Sequence, residues 1–313
     1  MATDIAEVIG SAVALKLLFE IPLIAGVLVT GCDVILLLCV GTKMRYIEFF
    51  IGTLVLLITV CFAVQVGVSD PSAIPLLSGY IPSDKIFKNQ EMMYIGVGII
   101  GATVMPHNLY LHSSIVLTRH TLRDERSIAQ GIKYSSIDST LSLMVAWFVN
   151  SSILIVAASV FNKNGYNEVA TLEDAYKLLD PILGSTVAAK LFGVALLAAG
   201  QSSTLTGTLT GQIVMEGFMT WKISPFVRRT VTRLLAIVPA IIATTTGGEE
   251  AVNQLLILSQ VSLSFALPFA VFPLIHITSS KIHMGNFVNN WMETILAYAI
   301  GLLIVTMNIL LFI

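Results

Sequence analysis

The sequence predicts an all-α protein that crosses a membrane many times. Two observations carry this. Charged residues make up only 12% of the 313 residues, against 56% apolar, and the mean hydropathy is +0.87; soluble domains carry about 25% charged residues. The apolar residues are also gathered into runs of about 20, which a soluble core does not need. The net charge of −2 gives no basic excess for nucleic acid. Cys32, Cys39 and Cys61 have no metal-ligand spacing and read as core or idle thiols. Asn150-Ser151-Ser152 matches a glycosylation pattern but falls inside an apolar run.

Nine apolar segments follow in order: 2–19, 21–41, 46–68, 92–118, 134–160, 185–219, 230–246, 251–277 and 291–312. The sixth is too long for a simple span, so it tilts or extends along the interface around Met215 to Trp221. Lys43 and Arg45 follow the second segment. Arg119, Arg123, Arg126 and Lys133 follow the fourth, Lys222, Arg228 and Arg229 the sixth, and Lys281 the eighth. The opposite connections mix a few lysines with many acids. The first set is therefore cytoplasmic, and 69–91 and 161–184 are long outer connections.

Polar groups at membrane depth are costly and mark candidate sites. Asp4 and Glu7 are spaced i,i+3, on one helix face, as a proton relay or a solvated helix start would be. The stretch "GATVMPHNLYLHSS" (101–114) places Pro106 inside an apolar run. Proline has no N–H and clashes with the preceding turn, so carbonyls near Ala102 and Thr103 are freed. Such breaks are tolerated where backbone lines a cavity and can coordinate a cation. Met105 puts a soft thioether beside the break, and soft ligands suit transition metals over Ca²⁺ and Mg²⁺. If the helix resumes, Met105, Asn108 and His112 share a stripe and His107 points elsewhere.

Three further stretches carry polar stripes. Gln201, Thr204 and Thr208 share a face among small residues that allow close helix approach, a packing pattern. Asn253, Gln260 and Ser264 share another, and Gln260 could offer its amide oxygen to a cation. Arg228 and Arg229 suit the interface, while Arg233, one turn deeper, either snorkels or pairs with a carboxylate. Asp138 is a further acid within the fifth segment. No enzyme signature is present: the histidines lack the H-E-x-x-H pattern, and there is no P-loop or nucleophile elbow.

At "ATDIAEVIGSA" (2–12), "MPHNLYLHS" (105–113), "AGQSSTLTGTLTGQ" (199–212) and "NQLLILSQVSLSFALPFA" (253–270), the chain resembles the Nramp family of proton-coupled divalent metal transporters. The resemblance implies a LeuT-type inverted-repeat fold in one transmembrane domain, 1–313. Within it 1–68 would correspond to helices 3–5, 92–277 to helices 6–10, and 291–312 to an additional helix. It implies that the Ala102 carbonyl, Met105 and Gln260 bind the metal. Asp4, Glu7, His107, His112, Arg228 and Arg229 would serve the proton route, with Pro106, Asn108, Gln201 and Asn253 in structural roles at the helix breaks. The implied substrate is Mn²⁺ or Fe²⁺, imported toward the cytoplasm with H⁺ as coupling ion, with no resident cofactor.

The family's first helix carries Asp-Pro-Gly-Asn, whose side chains bind the metal. Here Asp-Pro occurs at 70–71 and 180–181, without Gly-Asn after it. The expectation is an N-terminally incomplete fold of about nine helices whose 313 residues alone do not transport. The alternative is a non-transporting remnant serving as a membrane interaction or sensor protein.

Overall fold

The computed structural model describes residues 2–30, 44–81, 88–118, 124–161, 165, 171–183, 187–218 and 224–310. Most of the second expected segment, and Lys43, Arg119, Arg123 and Lys222 of the charge count, lie outside these. In chain order the helices are α1 (Ala2–Phe19), α2 (Leu23–Thr30), α3 (Met44–Ser69), α4 (Ala73–Gly79), α5 (Gln90–Thr103), α6 (Pro106–Leu117) and α7 (Glu125–Val156). After these come α8 (Leu172–Leu183), α9 (Ala188–Phe218), α10 (Pro225–Thr278), α11 (Lys281–Met284) and α12 (Trp291–Leu310). No strand occurs among the described residues.

Local chemistry sets the helix ends. Asp124 caps α7 by accepting from the Ser127 backbone N–H at 3.1 Å. Hydrogen bonding from Ser127 holds that carboxyl below the usual carboxylate range. The helix closes in a π-turn, Ala157–Phe161. Asn89 caps α5, accepting from the N–H groups of Glu91 and Met92. The seventh and eighth expected segments run together as α10, broken at Gly248, where φ is +63°. Only a residue without Cβ adopts that backbone easily, and it separates two limbs each long and apolar enough to cross a membrane.

Six spans among the described residues are long and apolar enough to cross a membrane unaided: Tyr46–Ser69, Gln90–Leu117, Glu125–Phe161, Thr230–Gly248, Glu250–Thr278 and Trp291–Leu310. The chain is a multi-pass integral membrane protein. Helices α1 and α9 fall outside these six by composition: α1 carries Asp4, Glu7 and Lys16 in 18 residues, and α9 a stretch rich in Gln, Ser and Thr. α1 packs against α9, α10 and α2. Val8, Ile9 and Ala12 of α1 form a core with Leu23, Val27, Ala236, Ile237, Ala240 and Val252.

Glycines fix the α1–α9 crossing. Gly193, Gly200 and Gly207 recur every seven residues along α9. A Cβ on them would meet Leu18 at 2.8 Å, the Ser11 hydroxyl at 2.4 Å and the Glu7 carboxylate at 2.5 Å. The small residues of 198–212 thus serve the packing read from the sequence, and they also bring α9 against the acidic face of α1.

Two short helices occupy the connections 69–91 and 161–184, which the sequence reading left without structure. One is α4. The other is α8, whose Leu179 is 1% exposed and packs with Val156, Val160, Ala188 and Ala189.

Candidate metal and proton site

The break in "GATVMPHNLYLHSS" is present where the proline predicts it. α5 ends at Thr103, Val104 and Met105 leave the helical region, and α6 begins with Pro106 at its first position. Met105 has extended backbone (φ −85°, ψ 131°). In a continuous helix the Ala102 carbonyl would accept from residue 106, and proline has no proton to give. Ala102 is exposed and Met105 half-buried.

Gln260 lies against this break. Gly101 approaches α10 so closely that a Cβ there would fall 2.0 Å from the Gln260 carbonyl oxygen and 2.8 Å from the Ser264 nitrogen. The Gln260 amide is oriented by Ser259. The Ser259 hydroxyl donates to Leu256 O at 2.6 Å, so its oxygen is free to accept, and Gln260 Nε2 donates to it at 3.2 Å. The other end of the amide, Oε1, is buried without a hydrogen-bond partner. A buried acceptor in this state is costly unless something occupies it. On the same α10 face, the Ser264 hydroxyl donates to Asn308 Oδ1 at 2.9 Å, and Asn308 Nδ2 donates to Ser264 O at 2.9 Å.

The histidines separate as the spacing implies. His107 Nδ1 lies 3.5 Å from the Thr3 hydroxyl, and Asp4 is within electrostatic range of the same imidazole. His112 instead faces α7, its Nε2 3.0 Å from Ser139 Oγ. Asn108 and His112 are exposed, as is Asp138 beside Ser139. Among the described residues, no group of three or more His, Cys, Asp and Glu could hold a metal ion. The candidate donors near the break, a thioether, a backbone carbonyl and an amide, are all neutral.

Glu7 points into a sealed polar cluster. Arg233 Nη1 donates to Glu7 Oε2 at 3.3 Å, Nη2 to Thr204 Oγ1 at 3.2 Å, and Nε to Thr30 O at 3.3 Å. Ser203 Oγ donates to Glu7 Oε1 at 3.1 Å. Both side chains of the pair are 4% exposed. Of the two options open to Arg233, snorkelling or pairing, the structure takes pairing. Arg228 and Arg229 sit at the start of α10, and their side chains lie outside the described residues. The Arg233 contact with Glu7 was foreshadowed by one signal, a lone arginine a full turn inside an apolar segment.

Gln201 is half-buried on α9 one turn before Thr204, and Asn253 is half-buried near the start of the second α10 limb. Thr208 lies outside the described side chains.

Comparison with known proteins identifies the family and the fold. The chain is 54% identical over 310 residues to a divalent metal cation transporter MntH of Listeria monocytogenes, covering 99% of this chain and 69% of that protein. It is 50% identical over 309 residues to the protein of that name from Nostoc sp., covering 98% and 70%. A crystal structure of the Eremococcus coleocola manganese transporter, bound to an aromatic bis-isothiourea compound, superposes with a TM-score of 0.88 at 38% identity. It covers 98% of this chain and 68% of that one. The fold is therefore the LeuT type that the resemblance implied, and the relatives are transporters rather than enzymes. The model of the Nramp family, natural resistance-associated macrophage protein-like, matches residues 1–313, and the chain belongs to that family.

Proposed function

We infer that this chain forms part of a proton-coupled importer of divalent transition metal ions, of the Mn²⁺ or Fe²⁺ class, moving them toward the cytoplasm. The observation that carries the reading is the unpartnered Gln260 oxygen beside a helix broken at Met105 and Pro106. A cation there meets the Ala102 carbonyl, the Met105 sulfur and the Gln260 amide oxygen. The thioether is the selective element, because a soft donor gains little from Ca²⁺ or Mg²⁺. Protons would pass by His107 and Asp4 toward Glu7, whose charge Arg233 balances. Arg228 and Arg229 would lie toward the inner end of that route, and His112 would belong to a separate branch against α7. Metal and protons are substrates, and no resident cofactor is invoked.

Neutral donors do not offset the hydration a dication gives up. The 313 residues alone are therefore expected to give no saturable Mn²⁺ uptake in vesicles. Transport is expected from a chimera in which this chain replaces the matching residues of the Listeria relative. Saturable uptake by the chain alone would refute the ligand argument. A folded chimera that moves no Mn²⁺ would refute the transport reading and favour an interaction or sensor role.

A further inference from the structure

The residues after α3 turn back into the membrane domain. Val66, near the end of α3, packs against the cluster of Val156 and Val160 at the end of α7. Tyr80, just past α4, has its ring centroid 5.8 Å from that of Trp147. Trp147 lies nine residues before Val156, about 13 Å back along the α7 axis. The chain therefore leaves α3 and runs back beside α7. It carries no charge there: no Asp, Glu, Lys or Arg occurs from 71 to 83, nor in the facing stretch 139–162. Its backbone suits a dry place. Pro71 and Pro75 have no N–H to leave unpaired, and the Ser78 hydroxyl donates to Pro75 O at 2.8 Å.

Between α4 and α7 is a cavity of about 620 Å³, within the range of about 300–1,000 Å³ typical of ligand sites. Pro75, Leu76 and Tyr80 line one side, and Leu154, Ile155 and Ala158 the other. Ala158 belongs to the π-turn, which widens α7 at this point. Gly79 also borders the cavity, and a Cβ there would meet nothing within 4 Å. Ile74, Leu77 and Ile81, on the other face of α4, are exposed. A helix apolar on both faces belongs in hydrocarbon. Leu154 lines the cavity and is itself 57% exposed, so the cavity opens sideways onto the surface of α7 where Leu141, Met144 and Phe148 are exposed too. On a membrane-crossing helix that surface meets lipid.

Water is a poor occupant. The lining has the hydroxyls of three serines and Tyr80 but no charged or amide side chain, and Ser159 already gives its proton to Ile155 O at 2.6 Å. Apolar cavities stay dry. An empty one of this size forfeits the contacts its walls could make. We propose that the cavity is a binding site for one acyl chain of a membrane lipid, reached from the side at Leu154 and closed at its far end by the Tyr80–Trp147 pair. The tail supplies the apolar contact between α4 and α7 that the cavity leaves unmade. The assignment does not depend on the transport reading.

The test uses the full chain in detergent and a palmitic acid analogue with a diazirine in its tail, the cross-linked residues being read by peptide mass spectrometry. Labelling of 71–81 and 147–159 should saturate with added probe and fall when unlabelled phospholipid is added. Labelling of α12, whose apolar side chains are exposed along its length, should rise without saturating. Gly79→Leu puts a side chain into the open space and should lower labelling of the two stretches about fivefold or more, with α12 unchanged. Ser151→Leu fills the cavity from the α7 side and should do the same, which keeps the test decisive if Gly79→Leu does not fold. Ile74→Ala, at a position 83% exposed on the other face of α4, should change nothing. Labelling of the two stretches that does not saturate overturns the proposal, as does unchanged labelling in a folded variant with the cavity filled. Loss of labelling in the chimera with the Listeria relative also overturns it, because a protein segment then occupies the lipid's place.

Discussion

The Glu7–Arg233 cluster and the Met105–Gln260 region lie in the same membrane domain, and both gather polar groups there. They differ in how completely those groups are answered. Around Glu7, each Arg233 nitrogen and both carboxylate oxygens have a partner, and four helices contribute. At the break, Ala102 is exposed, Met105 is half-buried and the Gln260 oxygen has no partner. A saturated network holds helices in place. An unsaturated one is what the proposed cation site requires. If the proposed function holds, the contrast separates a part that positions from a part that binds, and polar substitutions in the two should differ in their effect on stability and on transport.

The largest effect is expected at Arg233. Replacing it with Met leaves Glu7 buried without its counter-charge and should cost about 3–5 kcal/mol, read as unfolding in detergent. Adding Glu7→Gln to that variant should recover most of the loss, because the uncompensated charge is gone. Next is Gly101→Ala, whose new methyl group would overlap the Gln260 backbone. Overpacking of this kind costs about 1–3 kcal/mol and should lower the melting temperature. Met105→Ala should change stability by less than about 1 kcal/mol, since the side chain is only half-buried, yet alter ion selectivity. The smallest effect is expected for Lys177→Ala, within about 0.5 kcal/mol, because that lysine is well solvated.

The same contrast explains what could be read from the sequence. The break was legible because proline acts locally: Pro106 removes a hydrogen bond whatever surrounds it, and the helix restarts at that residue. The Asp4–Glu7 face and the Asn253–Gln260–Ser264 face were legible because helical spacing fixes them. The role of Arg233 was left open between snorkelling and pairing, because its distance to Glu7 spans 226 positions in sequence and depends on how α1, α9 and α10 cross. The glycines at 193, 200 and 207 were visible as small residues, but not as the reason Glu7 lies where it does. The helix α8 was missed because the connection was read by its charges alone. The apolar positions of Leu172, Ala175, Tyr176 and Leu179 do repeat with helical spacing.

The orientation of Gln260 was beyond sequence reasoning altogether. It depends on Ser259 committing its proton to Leu256, so that Gln260 Nε2 donates to the Ser259 oxygen and Oε1 is left without a partner. That oxygen, more than the composition of the stretch, supports the proposed cation site.

The most direct test of the metal half-site is competition between Ca²⁺ and Mn²⁺ for uptake by the chimera with the Listeria relative, with and without Met105→Ala. The soft-donor account predicts that Ca²⁺ in excess leaves Mn²⁺ uptake by the parent chimera almost untouched and competes effectively in the Met105→Ala variant. Unchanged exclusion of Ca²⁺ in that variant would contradict it.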